Sequence, residues 1–339
     1  MCDILYTISG YTNLFLTIRH RTESCLSNIK YTIERNPGQI FDYEYLKNHF
    51  FILLIFSQGS FILKKKFFNH NLSSLLGLTD SHILTFVGGG GKTSLMNTLG
   101  IEFAKQRIPT LLTTTTHIMK PDFLPSKACI EEENLEQITS FFMNLEEDIL
   151  PLAALGIPEK KIYNKVKWKS PSINFMKKLS LFSRKYSNIS LRILCEGDGS
   201  KRFPIKLPKD GEPVFFPKTD TIIGVIGLSC LGKPIKEMLF RYELLPKLIF
   251  TQKNFSSQNN FTKLPQTTHN ITTDFLYWLC LSENGLRKNI SSEKFCIVFN
   301  QADVLDEKAL AEMITLRNKI RDEGISCHIL SLKNKYIIK

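Results

Sequence analysis

Four consecutive glycines separate an apolar segment from a lysine–threonine pair, an arrangement that few folds accommodate. The stretch occupies residues 83–93 and reads ILTFVGGGGKT. The apolar residues predict a buried strand, and the residues after the glycines predict a helix. Glycine permits positive φ angles and leaves backbone amides open to close approach, which a Cβ atom would prevent. The stretch therefore predicts a strand–loop–helix unit of an α/β protein that binds an anion at its loop.

The glycines and the residues after them are candidate ligands of a nucleotide polyphosphate. Lys92 would place an ammonium group against the outer phosphates, and Thr93 would offer its hydroxyl to Mg²⁺ where the helix begins. The usual pattern G-x-x-x-x-G-K-[ST] has glycine where this chain has Phe86, so the loop is expected to be shortened or reshaped. A glycine-rich turn without a ligand is the alternative, but such a turn needs no lysine followed by threonine. The predicted binding set is Gly88, Gly89, Gly90, Gly91, Lys92, Thr93 and Ser94.

Two more predicted strands end in polar groups that would lie beside the glycine loop in a parallel sheet. The strand at 110–115 runs into four threonines, of which Thr115 and Thr116 are the candidates to contact phosphate or Mg²⁺. The next predicted strand leads to Glu196 and Asp198. Carboxylates in that position hold Mg²⁺ or polarise the attacking water in phosphoryl transfer. A turn made of Asp and Gly is the alternative for this second segment.

A motif near the C-terminus predicts the base of the nucleotide. The strand at 295–299 leads into Asn300 and Asp303, an arrangement similar to the N-K-x-D guanine-binding motif of GTPases with Gln301 in place of lysine. The aspartate of that motif accepts hydrogen bonds from the ring N–H and the amino group of guanine. Residues 331–333 follow another strand and are similar to the S-A-K element that supports the base. GTP is favoured over ATP, and an ordinary Asn–Asp turn is the alternative.

Composition and residue spacing favour a soluble cytoplasmic protein that uses magnesium. The eight cysteines form no C-x-x-C pair, and the seven histidines lack the spacing of a zinc site, so reduced thiols and Mg²⁺ are expected. We find no signal-peptide pattern and no apolar run of about eighteen residues, so no transmembrane segment is predicted. The longest apolar stretch, residues 50–63, predicts a core hairpin, with a membrane-surface segment as the alternative because lysines 64–66 follow it.

The positive charge is concentrated in one segment. The formal net charge is +12, and residues 160–209 contain fourteen Lys or Arg against only Glu196 and Asp198. Such a field favours anionic partners. The aromatic residues of the segment form no RNP-like motif, so nucleic acid is disfavoured as a partner.

The order of apolar segments predicts a three-layer α/β fold with a mostly parallel sheet. We assign residues 1–75 to an N-terminal extension of unknown role, and 76–339 to one domain with a basic insertion around 160–209. Residues 131–148 are acidic and are predicted to form a surface helix. The predicted strands are short and apolar, as expected where both faces of a sheet are covered. They are Ile83–Val87, Thr110–Thr115, Leu191–Cys195, Thr221–Ile226, Phe295–Phe299 and Cys327–Leu332.

Several segments together resemble one family, the selenium-dependent hydroxylase accessory proteins, also called YqeC-like proteins. The resemblance spans residues 72 to about 335, and its most specific part is the pattern E-x-D-G-S-K-R-x-P-x-K followed by E-P-V. The segments are LTFVGGGGKTSLM, PTLLTTTTHIMKP, LCEGDGSKRFPIKLPKDGEPVFFP, TIIGVIGLSCLGKPI and FNQAD. Gly89 stands where the family commonly has another small residue, and Gln301 stands where lysine is usual in the guanine motif.

The resemblance implies a P-loop NTPase-like protein that helps to mature selenium-dependent molybdenum hydroxylases. Its partners would be a nucleoside triphosphate and a metalloenzyme client or the cofactor-maturation machinery of that client. On matching positions the resemblance implies an active region of Glu196, Asp198, Ser200, Lys201 and Lys206, with Glu212 and Arg241 as weaker additions.

These observations give the candidate site, and hydrolysis of GTP or ATP is the predicted activity. The candidate catalytic residues are Lys92, Glu196, Asp198 and Lys201, and the candidate metal ligands are Thr93, Glu196 and Asp198. Thr115, Thr116, Asn300 and Asp303 complete the nucleotide-binding set. A small-molecule kinase or ligase that uses the same loop is one alternative, and a nucleotide sensor that does not hydrolyse is the other.

Overall fold

The computed structural model describes residues 34–35, 39–40, 65–69, 71–185, 191–248, 269–291 and 293–339. The chain forms two compact units, residues 1–67 and 68–339. The first unit contains the short strands β1 (Glu34–Arg35), β2 (Gln39–Ile40) and β3 (Lys65–Phe67), with β1 antiparallel to β2. The hairpin predicted at 50–63 lies outside the described residues.

Nine strands of the second unit share one sheet. They are β4 (Ile83–Gly88), β5 (Thr110–Thr114), β7 (Cys129–Ile130), β8 (Leu152–Leu155), β11 (Arg192–Glu196), β13 (Thr221–Gly227), β15 (Lys294–Asn300), β16 (Ser326–Ser331) and β17 (Tyr336–Ile338). Their order in the sheet is β17-β16-β15-β13-β4-β11-β5-β8-β7. Neighbouring strands are parallel except β17, which is antiparallel to β16.

The remaining strands form two smaller groups. The strands β6 (His117–Met119), β10 (Lys165–Lys169) and β9 (Ile157–Ile162) make an antiparallel sheet in that order. The two-residue strands β12 (Ile205–Lys206) and β14 (Leu239–Phe240) pair in parallel. The helices of the second unit are α1 (Leu72–Leu75), α2 (Lys92–Lys105), α3 (Leu135–Met143), α4 (Ile173–Lys185), α5 (Ile235–Met238), α6 (Thr273–Leu281) and α7 (Glu307–Asp322).

Helices cover both faces of the large sheet because the side chains of its strands alternate between two cores. Leu84 and Phe86 of β4 belong to the core that contains Leu95 and Leu99 of α2. Ile83 belongs to the opposite core, which contains side chains of α3 and α4. Each fully buried leucine contributes roughly 2 kcal/mol relative to an exposed one. The second unit is thus a mixed α/β structure with a large, mostly parallel sheet between helices.

The direction in which strands are added to the sheet reverses at β4. The chain first places β5, β7, β8 and β11 on one side of β4, and then β13, β15 and β16 on the other side. In parallel sheets a crevice opens outside the carboxyl ends of the strands at such a reversal. The four glycines follow β4 directly and therefore lie at this point.

All six predicted strands of the sheet are confirmed, with bounds that differ by one residue at one or both ends. The predicted helix at 131–148 is wrong in its bounds, because α3 spans only Leu135–Met143. Asn134 begins this helix by accepting hydrogen bonds from the amides of Glu136 and Gln137, which leaves the acidic residues before it outside the helix. The segment 160–209 contains β11, which pairs with both β4 and β5 in the large sheet.

None of the helices in the described parts of the chain has the length and apolar character that crossing a membrane requires. The six described cysteines are free thiols, and five of them are buried.

Candidate functional site

The glycine loop joins β4 to α2 and packs tightly against neighbouring backbone. Gly88, Gly90 and Gly91 have φ angles of 97°, 68° and 115°. A Cβ atom on Gly88 would lie 2.3 Å from the carbonyl oxygen of Val225, and one on Gly90 would lie 2.0 Å from the amide nitrogen of Gly227. Glycine is therefore required here by both backbone conformation and space.

Three of the four glycine amides donate hydrogen bonds to protein acceptors. Gly88 N lies 3.1 and 3.2 Å from the two carboxylate oxygens of Asp198. Gly89 N donates to Val225 O at 2.8 Å, and Gly90 N donates to Phe203 O at 3.1 Å. A phosphate would compete with these acceptors at the loop. The first turn of α2 offers further amides, because the first N–H groups of a helix have no acceptor within it.

The ammonium group of Lys92 is buried among oxygen atoms at the beginning of α2. Its Nζ donates to Gly88 O at 2.6 Å and lies 3.1 Å from Asp198 Oδ1 and 3.9 Å from Glu196 Oε1. The residue is only 3% exposed. The ammonium group of Lys92 thus contacts the carbonyl oxygen of Gly88 and the carboxylates of Asp198 and Glu196 together.

Glu196 ends β11 beside the first turn of α2. The hydroxyl of Thr93 donates to Glu196 Oε2 at 2.6 Å. Burial raises the pKa of Glu196, and the nearby carboxylate of Asp198 raises it further, against the opposing effects of Lys92, Thr93 and Lys206. A carboxylate with a raised pKa accepts a proton more readily and is suited to orient and deprotonate a nucleophile.

Asp198 begins a chain of alternating buried charges. Lys206 Nζ lies 3.1 Å from Asp198 Oδ2 and 2.7 Å from Glu212 Oε2. Arg241 in turn donates to both carboxylate oxygens of Glu212, at 2.5 and 2.7 Å. With Lys92 and Glu196 the chain contains three cations and three carboxylates. We call these six residues the charge network: Lys92, Glu196, Asp198, Lys206, Glu212 and Arg241.

A tight turn covers the glycine loop. Phe203 N donates to Ser200 O at 2.9 Å, and the two residues between them, Lys201 and Arg202, have φ angles of 48° and 68°. The carbonyl oxygen of Phe203 accepts a hydrogen bond from Gly90 N of the glycine loop. The carbonyl oxygen of Pro204 accepts a hydrogen bond of 2.9 Å from Gly227 N, at the end of β13. We call residues 200–204 the covering segment.

Lys201 does not reach the charge network in the structure. The residue is exposed at the tip of the turn, and its Nζ lies 5.4 Å from the centre of the Phe240 ring. Lys206, only five residues further along, is 1% exposed and contacts Asp198. Of these two lysines, the structure therefore brings Lys206 to the predicted carboxylates.

The predicted threonines lie on the other side of Glu196. Thr115 N donates to Glu196 O at 3.0 Å, while its hydroxyl donates to Val214 O at 2.7 Å. Thr116 N donates to Thr114 Oγ1, and Thr116 Oγ1 lies 3.4 Å from the same oxygen. Ser94 is exposed in the first turn of α2. Thr115 thus contacts the main chain of Glu196 through its amide, and its hydroxyl has a longer contact of 3.4 Å to the same carbonyl.

A cavity of about 890 Å³ opens beside Thr115. Its wall also contains Val214, residues 131–133 and residues 169–173. Its volume lies within the range of small-molecule sites. The cavity is linked to Glu196 through Thr115, whose amide donates to Glu196 O.

The C-terminal motif contacts the glycine loop through Asn300. Its Nδ2 donates to Gly90 O at 2.9 Å, and its Oδ1 accepts from Leu332 N at 3.2 Å. Asp303 accepts a hydrogen bond of 2.5 Å from the hydroxyl of Ser331. The two predicted segments, 300–303 and 331–333, are therefore neighbours. Gln301 has a φ of 69° and accepts a bond from Ser229 N at 3.3 Å.

In the described parts of the chain, no group of three or more Asp, Glu, His or Cys side chains is suited to hold a metal ion. Magnesium is commonly bound by one or two carboxylates together with phosphate oxygens and water. The hydroxyl of Thr93 and the carboxylate of Glu196, at the end of β11, are in direct contact and supply oxygen atoms of the kind that magnesium prefers.

The fold and this site define an α/β protein in which a lysine and a threonine at the start of a helix meet two carboxylates at the carboxyl end of the adjacent parallel strand. Residues 84–243 match the family model described as YqeC protein. The match confirms the resemblance inferred from the sequence, and it covers the glycine loop and all six residues of the charge network. No curated protein and no solved structure matches the chain significantly.

The covering segment is the part of the site that reasoning from the residues did not predict. Its contacts are made by the carbonyl oxygens of Phe203 and Pro204, and the identity of a side chain carries little information about backbone acceptors. The family resemblance indicated the charged residues Lys206, Glu212 and Arg241. It did not predict that Glu212 pairs with both of the other two.

Proposed function

We propose that the chain binds a nucleoside triphosphate with Mg²⁺ at the beginning of α2 and hydrolyses it as an accessory protein in the maturation of a selenium-dependent molybdenum hydroxylase. The observation that carries this proposal is the meeting of Lys92 and Thr93 with Glu196 and Asp198. A lysine, a hydroxyl and carboxylates at a helix start are the groups that phosphoryl transfer uses to position phosphate and compensate its charge.

The phosphates would bind to the first turn of α2. Amides of this turn have no acceptor within the helix, and the positive end of the helix dipole favours an anion. No side chain among the described residues caps the helix at Gly91. Because Gly88, Gly89 and Gly90 donate to protein acceptors, we expect the amides of Lys92, Thr93 and Ser94 to contribute more than those of the glycines.

Thr93 and Glu196 are the groups that would hold the metal. Bound Mg²⁺ would compensate negative charge on the phosphates and withdraw electrons from the phosphorus atom. Glu196 would hold the metal through water, and its raised pKa suits the carboxylate to accept a proton from an attacking water. Lys92 would stabilise charge that develops on the transferred phosphate.

The neighbouring segments 300–303 and 331–333 support GTP as the favoured nucleotide. Asn300 joins the base-reading motif to the glycine loop through Gly90 O. Asp303 is positioned by Ser331, as a side chain that accepts hydrogen bonds from guanine must be. ATP is the alternative base.

The family match supports the accessory role. It covers residues 84–243, which include the glycine loop, Glu196 and Asp198. In an accessory protein the energy of nucleotide binding or hydrolysis would drive a step in the handling of the cofactor of the client enzyme.

The cavity beside Thr115 favours a small-molecule kinase or ligase as the second candidate. It lies at the carboxyl ends of parallel strands, where substrates of α/β proteins bind. Thr115 lines this cavity and donates its amide to Glu196 O, so an acceptor molecule there would be a neighbour of the proposed catalytic carboxylate.

Equilibrium binding and product analysis with labelled GTP and ATP test the proposal. We expect Mg²⁺-dependent binding, release of inorganic phosphate and a preference for GTP. A phosphorylated acceptor would instead indicate a kinase, and an unchanged nucleotide would indicate a sensor. In Lys92→Met the affinity should fall by at least about tenfold, since a hydrogen bond to a charged group contributes about 1.5–3 kcal/mol.

Lys105→Met is the matched control. Lys105 is the last residue of the same helix and is exposed, so the substitution removes the same charge far from the loop. Its affinity should equal that of the wild type. If Lys92→Met is folded and binds and hydrolyses nucleotide like the wild type, the site proposed here is wrong.

A further inference from the structure

Asp198 occupies the donors that an anionic ligand of the glycine loop would use. Both of its carboxylate oxygens lie within 3.2 Å of Gly88 N, and Oδ1 lies 3.1 Å from Lys92 Nζ. A backbone amide of the loop and the ammonium of the loop lysine are the groups expected to bind phosphate. The side chain of Asp198 is 3% exposed, so the carboxylate depends on these donors for its stabilisation.

Lys206 also binds this carboxylate and remains available when Lys92 is withdrawn. Its Nζ lies 3.1 Å from Asp198 Oδ2. Lys206 is itself shared with Glu212, at 2.7 Å, and Glu212 is held by Arg241. The charge network can therefore retain Asp198 after Lys92 turns toward a ligand, although Asp198 then has one cation in place of two.

The number of charges determines which anions can enter. Three cations balance three carboxylates in the charge network, and most of these side chains are buried. An anion that takes Lys92 from Asp198 adds uncompensated negative charge beside Asp198 and Glu196, which is costly where water is excluded. A divalent cation that enters with the anion removes this cost.

We infer that Asp198 is an internal competitor for Lys92, and that it makes the site selective for metal-bound polyphosphate over metal-free anions. This inference rests on the proposed function and assigns Asp198 a role different from that of a metal ligand. In the structure the side-chain groups that pair with Asp198 are the ammonium groups of Lys92 and Lys206, whereas Thr93 pairs with Glu196.

The two roles of Asp198 predict opposite results for Asp198→Asn. Asparagine keeps the shape of the side chain and removes its charge. If Asp198 competes for Lys92, the variant frees the ammonium and binds metal-free polyphosphate more tightly than the wild type. If Asp198 is a metal ligand, the variant loses affinity for the magnesium complex and gains none for the metal-free anion.

Isothermal titration calorimetry of the full chain with inorganic tripolyphosphate, in Mg²⁺ or in a chelator, is the test. We expect the wild type to bind the magnesium complex at least about tenfold more tightly than the metal-free anion. Asp198→Asn should bind metal-free tripolyphosphate about tenfold more tightly than the wild type. Asp210→Asn is the control, because the side chain of Asp210 is fully exposed and lies 3.6 Å from the ammonium group of Lys288, outside the charge network.

Each outcome decides one point. Absence of the gain in folded Asp198→Asn, or an equal gain in Asp210→Asn, would overturn the inference. Equal affinity of the wild type with and without Mg²⁺ would overturn it even if Asp198→Asn failed to fold. If the wild type binds Mg²⁺–tripolyphosphate but Asp198→Asn shows no gain, the proposed function stands and the inference fails. If neither protein binds tripolyphosphate in either condition, the proposed function fails as well.

Discussion

Protonation of Glu212 at low pH should lower the free energy of unfolding by a predictable amount. This carboxylate joins Lys206 to Arg241 and so anchors the charge network at the end remote from the glycine loop. Burial alone would raise the pKa of Glu212, but hydrogen bonds and charges from Arg241 and Lys206 outweigh it and lower the pKa from 4.5 to about 2. Because the pKa is lower in the folded state, the ionised form stabilises the fold.

The size and pH range of the effect follow from this change in pKa. A fall from 4.5 to about 2 corresponds to about 3 kcal/mol of stability near neutral pH. The contribution is fully present above 4.5, the pKa of the unfolded chain, and is lost as the pH falls toward 2. At about pH 3, roughly 2 kcal/mol of it should be gone.

Denaturant unfolding of the wild type and Glu212→Gln at about pH 6 and about pH 3 measures this effect. The variant should be less stable at about pH 6 by at least about 3 kcal/mol, since Lys206 and Arg241 lose the carboxylate between them. The difference between the two proteins should shrink by roughly 2 kcal/mol at about pH 3. Asp210→Asn should follow the wild type at both pH values, because Asp210 is exposed. A difference between wild type and Glu212→Gln that stays constant over this range would refute the reasoning.

Two further predictions concern the loop and the core. Gly90→Ala should lower the free energy of unfolding by at least about 2 kcal/mol, because its Cβ would lie 2.0 Å from Gly227 N. Gly77→Ala, at a φ of 69° with nothing within 4 Å of the new atom, should cost only about 1 kcal/mol, and equal losses in denaturant unfolding would contradict the steric argument. Burial raises the pKa of the five buried thiols, to about 12 for Cys230 and Cys296, so an alkylating reagent should modify them only after unfolding. Mass spectrometry would locate the modified peptides, and rapid alkylation of Cys195 in the folded protein would contradict its burial.

The large sheet was predictable where the strands are apolar and β-branched. Thr221–Gly227 and Lys294–Asn300 pair over their full lengths, and both consist mainly of residues that favour strands. Leu152–Leu155 contains two alanines among its four residues and was not predicted, because alanine is depleted in strands. Its assignment depends on pairing with β5, which is a tertiary contact that no local pattern reports.

The carboxylates of the site were predictable for a different reason. Glu196 and Asp198 follow a buried strand, and the carboxyl ends of parallel strands meet at one edge of the sheet. The partners of these carboxylates were less accessible to prediction. Lys201 and Lys206 are five residues apart in the same basic segment, and only the turn at 200–203 decides which of them is buried.

The sequence favoured a bound phosphate as the reason for the four glycines, whereas the structure explains them by close packing. Each of the four positions has a neighbouring protein atom between 2.0 and 2.6 Å from where a Cβ would lie, so close packing alone accounts for the four glycines. The case for a ligand therefore depends on Lys92 and Thr93, which packing does not require, since a buried ammonium group is costly unless it is paired. The pairing of Lys92 with carboxylates at the carboxyl end of β11 places opposite charges at the edge of the sheet where α/β proteins bind ligands. Substitutions at Lys92 and Asp198 thus test function, whereas substitutions at the glycines test the fold.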